Sequence, residues 1–160
     1  VADASNLDFL HSASFDKAVI VLALQNMMDL NGVMRECSRL IKPDGKILVV
    51  LNHPTFRIPK ASEWGWDEEN NIQYRRINKY LSEEKVEIQM HPGDRNSDVT
   101  YSFHRSLQTY FKAFAKHNLA VTHLEEWISP RETPHGPRAH AENVSRKEFP
   151  LFLFLELQKC

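Results

Sequence analysis

The chain has 160 residues, of which 42% are hydrophobic, and a formal net charge of -1 at pH 7. This length and composition predict one globular domain with a sizeable core, and the mixed charges argue against a nucleic-acid or membrane surface. No run approaches about 18 apolar residues, no signal-peptide pattern is present, and Cys37 and Cys160 do not look paired, so we expect a cytoplasmic protein without a membrane span.

The first third of the chain predicts a strand, a helix and a second strand. Residues 17–24 are an almost unbroken apolar run, typical of a strand buried on both faces. Asp29 suits the N-cap of a helix over residues 30–41, which carries an apolar stripe, and residues 43–45 predict the turn that ends it. Residues 47–51 predict the next strand. Together they form a βαβ unit, which is the building block of parallel sheets.

The rest of the chain predicts an insertion and then further helix and strands. In chain order these are a loop at 55–71, two short strands within 72–90 (or a helix over part of that stretch), a turn at 93–97, a helix at 104–118, a strand at 119–128, a long loop at 130–149 and a strand at 150–158. A last strand reached without an intervening helix commonly pairs antiparallel. The predicted fold class is α/β, with a core of residues 1–54 and 104–160 and an inserted segment, 55–103.

Several motifs follow a family pattern. Asp3-Ala4 gives an acidic residue and then a small one, Phe15-Asp16 precedes the first predicted strand, and RLIKPDG at 39–45 ends the helix. With the strands LAVTHLEEW and PLFLFLEL, these motifs resemble class I S-adenosylmethionine-dependent methyltransferases, especially those that modify small molecules. The chain departs from the family at Asp44, where the family prefers Gly. The resemblance implies the C-terminal half of a doubly wound, Rossmann-like methyltransferase sheet with an antiparallel last strand and an inserted substrate cap.

One part of the family pattern is absent. The family holds the methionine and ribose parts of its cofactor with a Gly-rich loop and an acidic residue, because glycine lets backbone approach the ligand closely. The five glycines of this chain are too far apart to form that loop; they are Gly32, Gly45, Gly65, Gly93 and Gly136. We therefore expect the first strands to precede Val1 and the chain to be a fragment that is inactive alone.

The resemblance implies S-adenosylmethionine as the cofactor. Asp3 would accept a hydrogen bond from the adenine amino group and the backbone at Ala4 would meet a ring nitrogen; alternatively, Asp3 caps a turn. Ala23, Leu24 and Gln25 end the first predicted strand, and ligands bind at the carboxyl ends of strands in open α/β sheets. Core packing is the alternative role for Leu24.

Two histidines are candidate catalytic bases. A hydroxyl acceptor must lose a proton during methyl transfer, and histidine titrates near neutral pH. His53 follows the strand 47–51 and is the first candidate, with a hydrogen-bonded histidine before Pro54 as the alternative. His104 is the second candidate, at the start of a helix that often borders the substrate pocket in the family; its alternative role is bonding to the insertion.

The insertion and its borders are expected to recognise the substrate. Arginines beside aromatic residues suit an anionic, partly aromatic acceptor, although they also suit a solvated face over packed Trp side chains. The candidate substrate-binding residues are Arg57, Trp64, Tyr74, Arg76, Arg105 and Trp127. No metal site is expected, since His135 and His140 have no Cys or carboxylate nearby that completes a ligand set.

The predicted function is methyl transfer to a small-molecule acceptor. The alternative is a non-catalytic binding or partner subunit that keeps the fold without the cofactor loop. A dehydrogenase fragment is a weaker alternative, which the antiparallel last strand disfavours. An exposed sheet edge and bare apolar faces favour pairing with another chain, so we expect a homo-oligomer or association with an N-terminal piece.

Overall fold

The computed structural model describes residues 1–89 and 98–160. The predicted turn at 93–97 and the last residue of the predicted strand region, Met90, lie outside these ranges. The elements are β1 (Phe15–Val21), α1 (Leu30–Leu40), β2 (Ile41–Asn52), β3 (Ser62–Asp67), β4 (Ile72–Ile77), β5 (Glu84–Gln89), β6 (Val99–His104), α2 (Leu107–Lys116), β7 (Leu119–Trp127), α3 (Ala139–Glu148) and β8 (Phe152–Lys159). The predicted α/β fold class is confirmed.

The main sheet has the strand order β1–β2–β8–β7. Strands β1 and β2 are parallel, and β8 runs antiparallel to both of its neighbours. The antiparallel last strand is thus confirmed, but the predicted loop before it contains helix α3, which contacts β4 rather than the sheet. Because β1, β2 and β7 run in one direction, they all end at the same edge, at Val21, Asn52 and Trp127.

One face of this sheet carries the core. Alternation along β2 and β8 buries Ile47, Val49, Leu51, Leu153, Leu155 and Leu157 almost completely. Helices α1 and α2 cover these side chains with Met34 and Phe114, among others. Each such aliphatic side chain contributes about 1.5–3 kcal/mol when it is removed from water. The opposite face, which includes Leu48, Val50 and Phe154, stays partly exposed.

Strand β1 differs from its prediction. It ends at Val21, and Leu24–Asn26 form a short 3-10 helix instead of the end of a strand. Within the described residues β1 pairs only with β2, so it is an edge strand rather than one buried on both faces. Val19 and Val21 are 63% and 58% exposed, whereas Ile20 points into the core. The apolar composition of β1 therefore does not correspond to complete burial.

Helix α1 begins as predicted and ends differently. The Asp29 carboxylate accepts a hydrogen bond from the Gly32 N–H at 2.9 Å, which confirms the N-cap. The chain then passes directly into β2, and the predicted turn at 43–45 lies inside that strand. There the register moves from Phe15 opposite Ile41 to Lys17 opposite Lys46. Pro43 has no N–H to donate, so the pairing is interrupted at this point.

The inserted segment contains two hairpins, β3 with β4 and β5 with β6. Residues 62–67 were predicted as a loop but form β3, and the helical alternative for 72–90 is wrong. The second helix begins at Leu107 rather than at residue 104, because the Ser106 side chain caps it by accepting from Thr109 N–H. His104 therefore ends β6. No helix in the described ranges is long and apolar enough to cross a membrane.

Candidate active site

A small cavity lies at the carboxyl edge of the sheet, where β6 of the insertion meets the core. Its volume is about 20 Å³, enough for one water-sized group. The cavity brings together four of the predicted site residues, Gln25, Arg57, His104 and Arg105. It is also lined by Asn52 and Tyr110, which were not predicted as site residues. Asn52 had a usable signal, since it is the first polar residue after an apolar strand.

Gln25 lies beside this cavity with its amide orientation fixed. Its side chain is 8% exposed, and its Nε2 donates to the Leu22 carbonyl at 2.9 Å. Rotating the amide by half a turn would place oxygen against that carbonyl oxygen, so the hydrogen bond fixes which end is Oε1. Among the described residues, Oε1 is buried without a hydrogen-bond partner.

Arg105 presents a fixed donor. It is 6% exposed, and its Nη2 donates to the carbonyls of Met27 at 2.9 Å and Met28 at 2.7 Å. The guanidinium also lies over the Phe103 ring, 5.3 Å from its centre. Its Nη1 is buried and has no hydrogen-bond partner within the described ranges. The charge of the guanidinium also acts on the Tyr110 hydroxyl, where it partly opposes the raised pKa of that group.

His104 has the hydrogen bonding that a general base needs. Its Nε2 lies 2.8 Å from the carbonyl oxygen of Tyr80. A carbonyl oxygen only accepts, so Nε2 carries the proton and Nδ1 keeps a lone pair. No other described residue hydrogen-bonds to the ring, which is buried beside the cavity. Nearby, burial raises the pKa of the Tyr110 hydroxyl, which therefore stays protonated at neutral pH.

His53 lies close to this edge but in a different setting. Its Nδ1 accepts from the N–H groups of Thr55 at 3.2 Å and Phe56 at 3.4 Å, so Nε2 donates to Glu126 at 2.8 Å. Burial lowers the pKa of His53, and the Glu126 carboxylate partly opposes this. Both nitrogens are engaged, so the geometry matches a histidine that holds the loop before Pro54. For His53 to act as a base through Nδ1, this nitrogen must first lose its hydrogen bonds from the backbone N–H groups of Thr55 and Phe56.

The predicted cofactor residues lie around a second, apolar groove. Ala4 and Ala23 both line this groove of about 520 Å³ between the N-terminal segment, β1 and α1. The exposed Asp3 carboxylate accepts from the backbone N–H and the hydroxyl of Ser5, both at 2.8 Å, and these bonds lower its pKa. Asp3 thus caps a turn next to the groove. The Leu24 side chain is completely buried in the core.

The remaining predicted substrate residues are not gathered at the cavity. Trp64 lines a separate cavity of about 210 Å³ beside Phe149. Arg76 pairs with Glu63 at the surface, and Tyr74 is 44% exposed. Trp127 stacks on Phe154 with ring centres 5.2 Å apart. In the part of the chain that the structure describes, no group of three or more His, Cys, Asp or Glu could hold a metal ion.

Comparisons with known proteins bear on the fold of the chain. Residues 1–49 match the family model described as a methyltransferase domain. A search of curated proteins found no significant match. Among solved structures, an S-adenosylmethionine-dependent methyltransferase from Mesorhizobium loti is 24% identical with a TM-score of 0.71, and covers 99% of this chain and 68% of its own.

Two further structures are similar. A protein from Listeria monocytogenes, described as an S-adenosylmethionine-dependent methyltransferase, is 16% identical with a TM-score of 0.71, over 98% of this chain and 66% of its own. The glycopeptide N-methyltransferase MtfA, in complex with S-adenosyl-L-homocysteine, is 16% identical with a TM-score of 0.53, over 99% of this chain and 59% of its own. The resemblance predicted from the sequence is confirmed: the chain has the fold of the class I S-adenosylmethionine-dependent methyltransferases.

Proposed function

We propose that this chain takes part in S-adenosylmethionine-dependent methyl transfer to a small-molecule acceptor. The observation that carries the proposal is the meeting of Gln25, His104 and Arg105 at one cavity on the carboxyl edge of a methyltransferase fold. Ligands of open α/β sheets bind at that edge. The acceptor then contacts the cavity, with Arg57 and Arg105 as its binding residues.

The chain offers part of a cofactor site. Asp3 carries an exposed carboxylate, and Ala4 and Ala23 line the adjacent apolar groove, a setting that suits a planar, partly polar adenine. Residues that would grip the methionine part are missing from the sequence, which has no Gly-rich loop. When bound, S-adenosylmethionine supplies a sulfonium-activated methyl group. Asp3, Ala4 and Ala23 thus suit the adenine end of S-adenosylmethionine.

His104 is the proposed base for a hydroxyl acceptor. The Tyr80 carbonyl holds Nε2–H, which leaves the Nδ1 lone pair to accept the acceptor's proton. His53 is proposed instead to position the loop that carries Pro54 and Arg57, because both of its ring nitrogens are already bonded. General-base catalysis typically contributes about 10²–10⁴-fold to a rate.

The test is methyl transfer from radiolabelled S-adenosylmethionine by the full-length protein to a panel of hydroxylated small molecules. We expect His104→Gln to lower kcat at least about 100-fold with little change in KM. The matched control is His11→Gln, at an exposed histidine that does not line the cavity. Equal kcat in both variants would exclude His104 as the base.

A non-catalytic binding role is the second candidate. Such a subunit would keep the methyltransferase fold and bind the ligand without turnover. The same panel separates the two functions, because a binding subunit retains ligand affinity and transfers no methyl group to any acceptor.

A further inference from the structure

We propose that Glu36 and Arg39, both on helix α1, form a clamp that positions residues 3–10 as one wall of the adenine groove. This inference rests on the proposed function and deepens it, because it names positioning residues for the same site. The described residues 1–14 contain no helix or strand. Such a segment keeps one conformation only where contacts with the rest of the fold hold it.

The clamp holds Leu7 by both of its backbone polar groups. The Leu7 N–H donates to Glu36 Oε2 at 3.2 Å, and the Leu7 carbonyl accepts from Arg39 Nη2 at 2.9 Å. Arg39 Nη1 donates to the Leu10 carbonyl at 2.8 Å. Leu7 and Leu10 line the apolar groove together with Ala4. The clamp therefore sets the position of the groove wall that these residues form.

The two side chains of the clamp also fix each other. Arg39 Nη2 lies 2.6 Å from Glu36 Oε2, and Glu36 is only 3% exposed. The hydrogen bond from Arg39 lowers the pKa of Glu36, so this carboxylate stays ionised at neutral pH. The guanidinium carries five N–H donors in a planar fork, which lets one side chain bond a carboxylate and two carbonyls at once. A lysine keeps the charge but lacks that geometry.

The clamp belongs to a face of α1 that contacts the segment near its start as well. Gly32, Arg35, Glu36 and Arg39 follow the i, i+3, i+4, i+7 spacing of one helix face. Arg35 Nη2 donates to the Ser5 carbonyl at 2.9 Å. A Cβ at Gly32 would lie 2.8 Å from the Ser5 Cβ, so glycine permits this close approach.

The clamp predicts a ligand preference that overall stability does not control. Ser5 joins the clamped segment to Asp3, because its N–H and its hydroxyl both donate to the Asp3 carboxylate at 2.8 Å. That carboxylate can accept from the amino group of adenosine, whereas inosine presents a carbonyl oxygen at the same position. We expect the unmodified chain to bind adenosine about tenfold more tightly than inosine, and Arg39→Gln to reduce this preference below about threefold. A smaller folded fraction alone would weaken both nucleosides equally and leave their ratio unchanged.

NMR titrations with the two nucleosides and amide hydrogen exchange without ligand measure these effects. In Glu36→Ala the Leu7 amide loses its acceptor and should exchange at least roughly tenfold faster. Arg39→Lys should restore only part of the adenosine preference. Lys42→Gln is the matched control, since it also removes one positive charge and one ion pair, that with Asp16, and it should change neither measurement.

Three results would overturn the proposal. One is the same adenosine preference in Arg39→Gln as in the unmodified chain, and another is equal binding of both nucleosides by the unmodified chain. The third is unchanged exchange of the Leu7 amide in Glu36→Ala, which requires no ligand. If the unmodified chain bound no adenosine at all, the proposed adenine site would fail, and this inference with it. A failure of the clamp alone is therefore distinguishable from a failure of the proposed function.

Discussion

At the scale of single residues, hydrogen bonding distinguishes the two histidines that the sequence offered as candidate bases, His53 first and His104 second. His53 was a candidate base because it follows a predicted strand, and His104 because it was predicted to begin a helix that borders the substrate pocket in the family. The structure shows both ring nitrogens of His53 hydrogen-bonded, whereas at His104 one ring nitrogen is hydrogen-bonded to a residue of the described ranges. Sequence position does not reveal this difference, because the partners Glu126 and Tyr80 come from distant parts of the chain.

The buried His53 makes stability depend on pH. Because its pKa is lowered in the folded state, the unfolded chain binds more protons as pH falls below the ordinary histidine value of 6.5. The free energy of unfolding should therefore decrease between pH 7.5 and pH 5.5. Urea unfolding should show a smaller decrease for His53→Gln, while the exposed-site control His11→Gln keeps the full decrease.

His117 also has a lowered pKa, chiefly from burial, so the slope in His53→Gln should shrink without vanishing. A variant with the same pH slope as the unmodified chain would show that His53 is not buried as a neutral ring.

The two cysteines should differ sharply in reactivity. Burial raises the pKa of Cys37 to about 11, and only the thiolate reacts. Cys160 is exposed at the last position. With a disulfide reagent at pH 8, the Cys160 thiol should react at least roughly 100-fold faster than the Cys37 thiol. The variant Cys160→Ser should therefore remove the fast phase of the reaction. Two equal rates would contradict the packing of Cys37 on α1.

At the scale of elements, the sequence predicted the pieces with strong periodicity and missed those that depend on tertiary contacts. Helix α1 and strand β8 agree with prediction because the apolar stripe and N-cap of α1 and the apolar run of β8 are local signals, whereas the antiparallel direction of β8 holds even though helix α3 precedes it. Strand β3 was missed because its sequence, SEWGWD, is short, has only two apolar residues and contains a glycine, so the strand depends on its pairing with β4. Helix α3 was missed because its sequence, AHAENVSRKE, is polar and contributes only Ser145 to the buried residues.

The cap of α1 gives a local stability prediction. Asp29→Ala removes the hydrogen bond to Gly32 N–H and should lower the free energy of unfolding by about 1 kcal/mol. Asp44→Ala, at an exposed position that caps no helix, is the matched control and should have a much smaller effect. Chemical denaturation measures both. If Asp29→Ala and the control were equally stable, the Asp29 cap would be excluded. The variant Gly32→Ala should also lower the free energy of unfolding, because its Cβ would collide with the Asp29 carboxylate.

At the scale of the whole molecule, the main sheet has one covered face and two edge strands, β1 and β7, within the described ranges. Helices α1 and α2 cover the core face, while the exposed Val19 and Val21 lie on edge strand β1. The sequence predicted an exposed sheet edge and exposed apolar side chains, because a doubly wound sheet needs strands and helices on both sides. Unpaired edges and exposed apolar side chains favour association with another chain.

We therefore expect the isolated chain to self-associate. Sedimentation should show a dimer or a larger species, and the double variant Val19→Lys with Val21→Lys should shift it toward monomer. Ile72→Lys replaces an equally exposed apolar residue on β4, away from this edge, and should leave the association unchanged. A monomer at all concentrations in the unmodified chain would contradict the role of the edge.

The central claim is that this chain carries the adenine end of an S-adenosylmethionine site. The most direct test is an NMR titration of the isolated chain with adenosine and with S-adenosyl-L-homocysteine. We predict shifts at Ala4 and Ala23 with both ligands, at similar affinities, because the sequence supplies no Gly-rich loop for the amino-acid part. Shifts confined to other residues, or none at millimolar adenosine, would contradict the account.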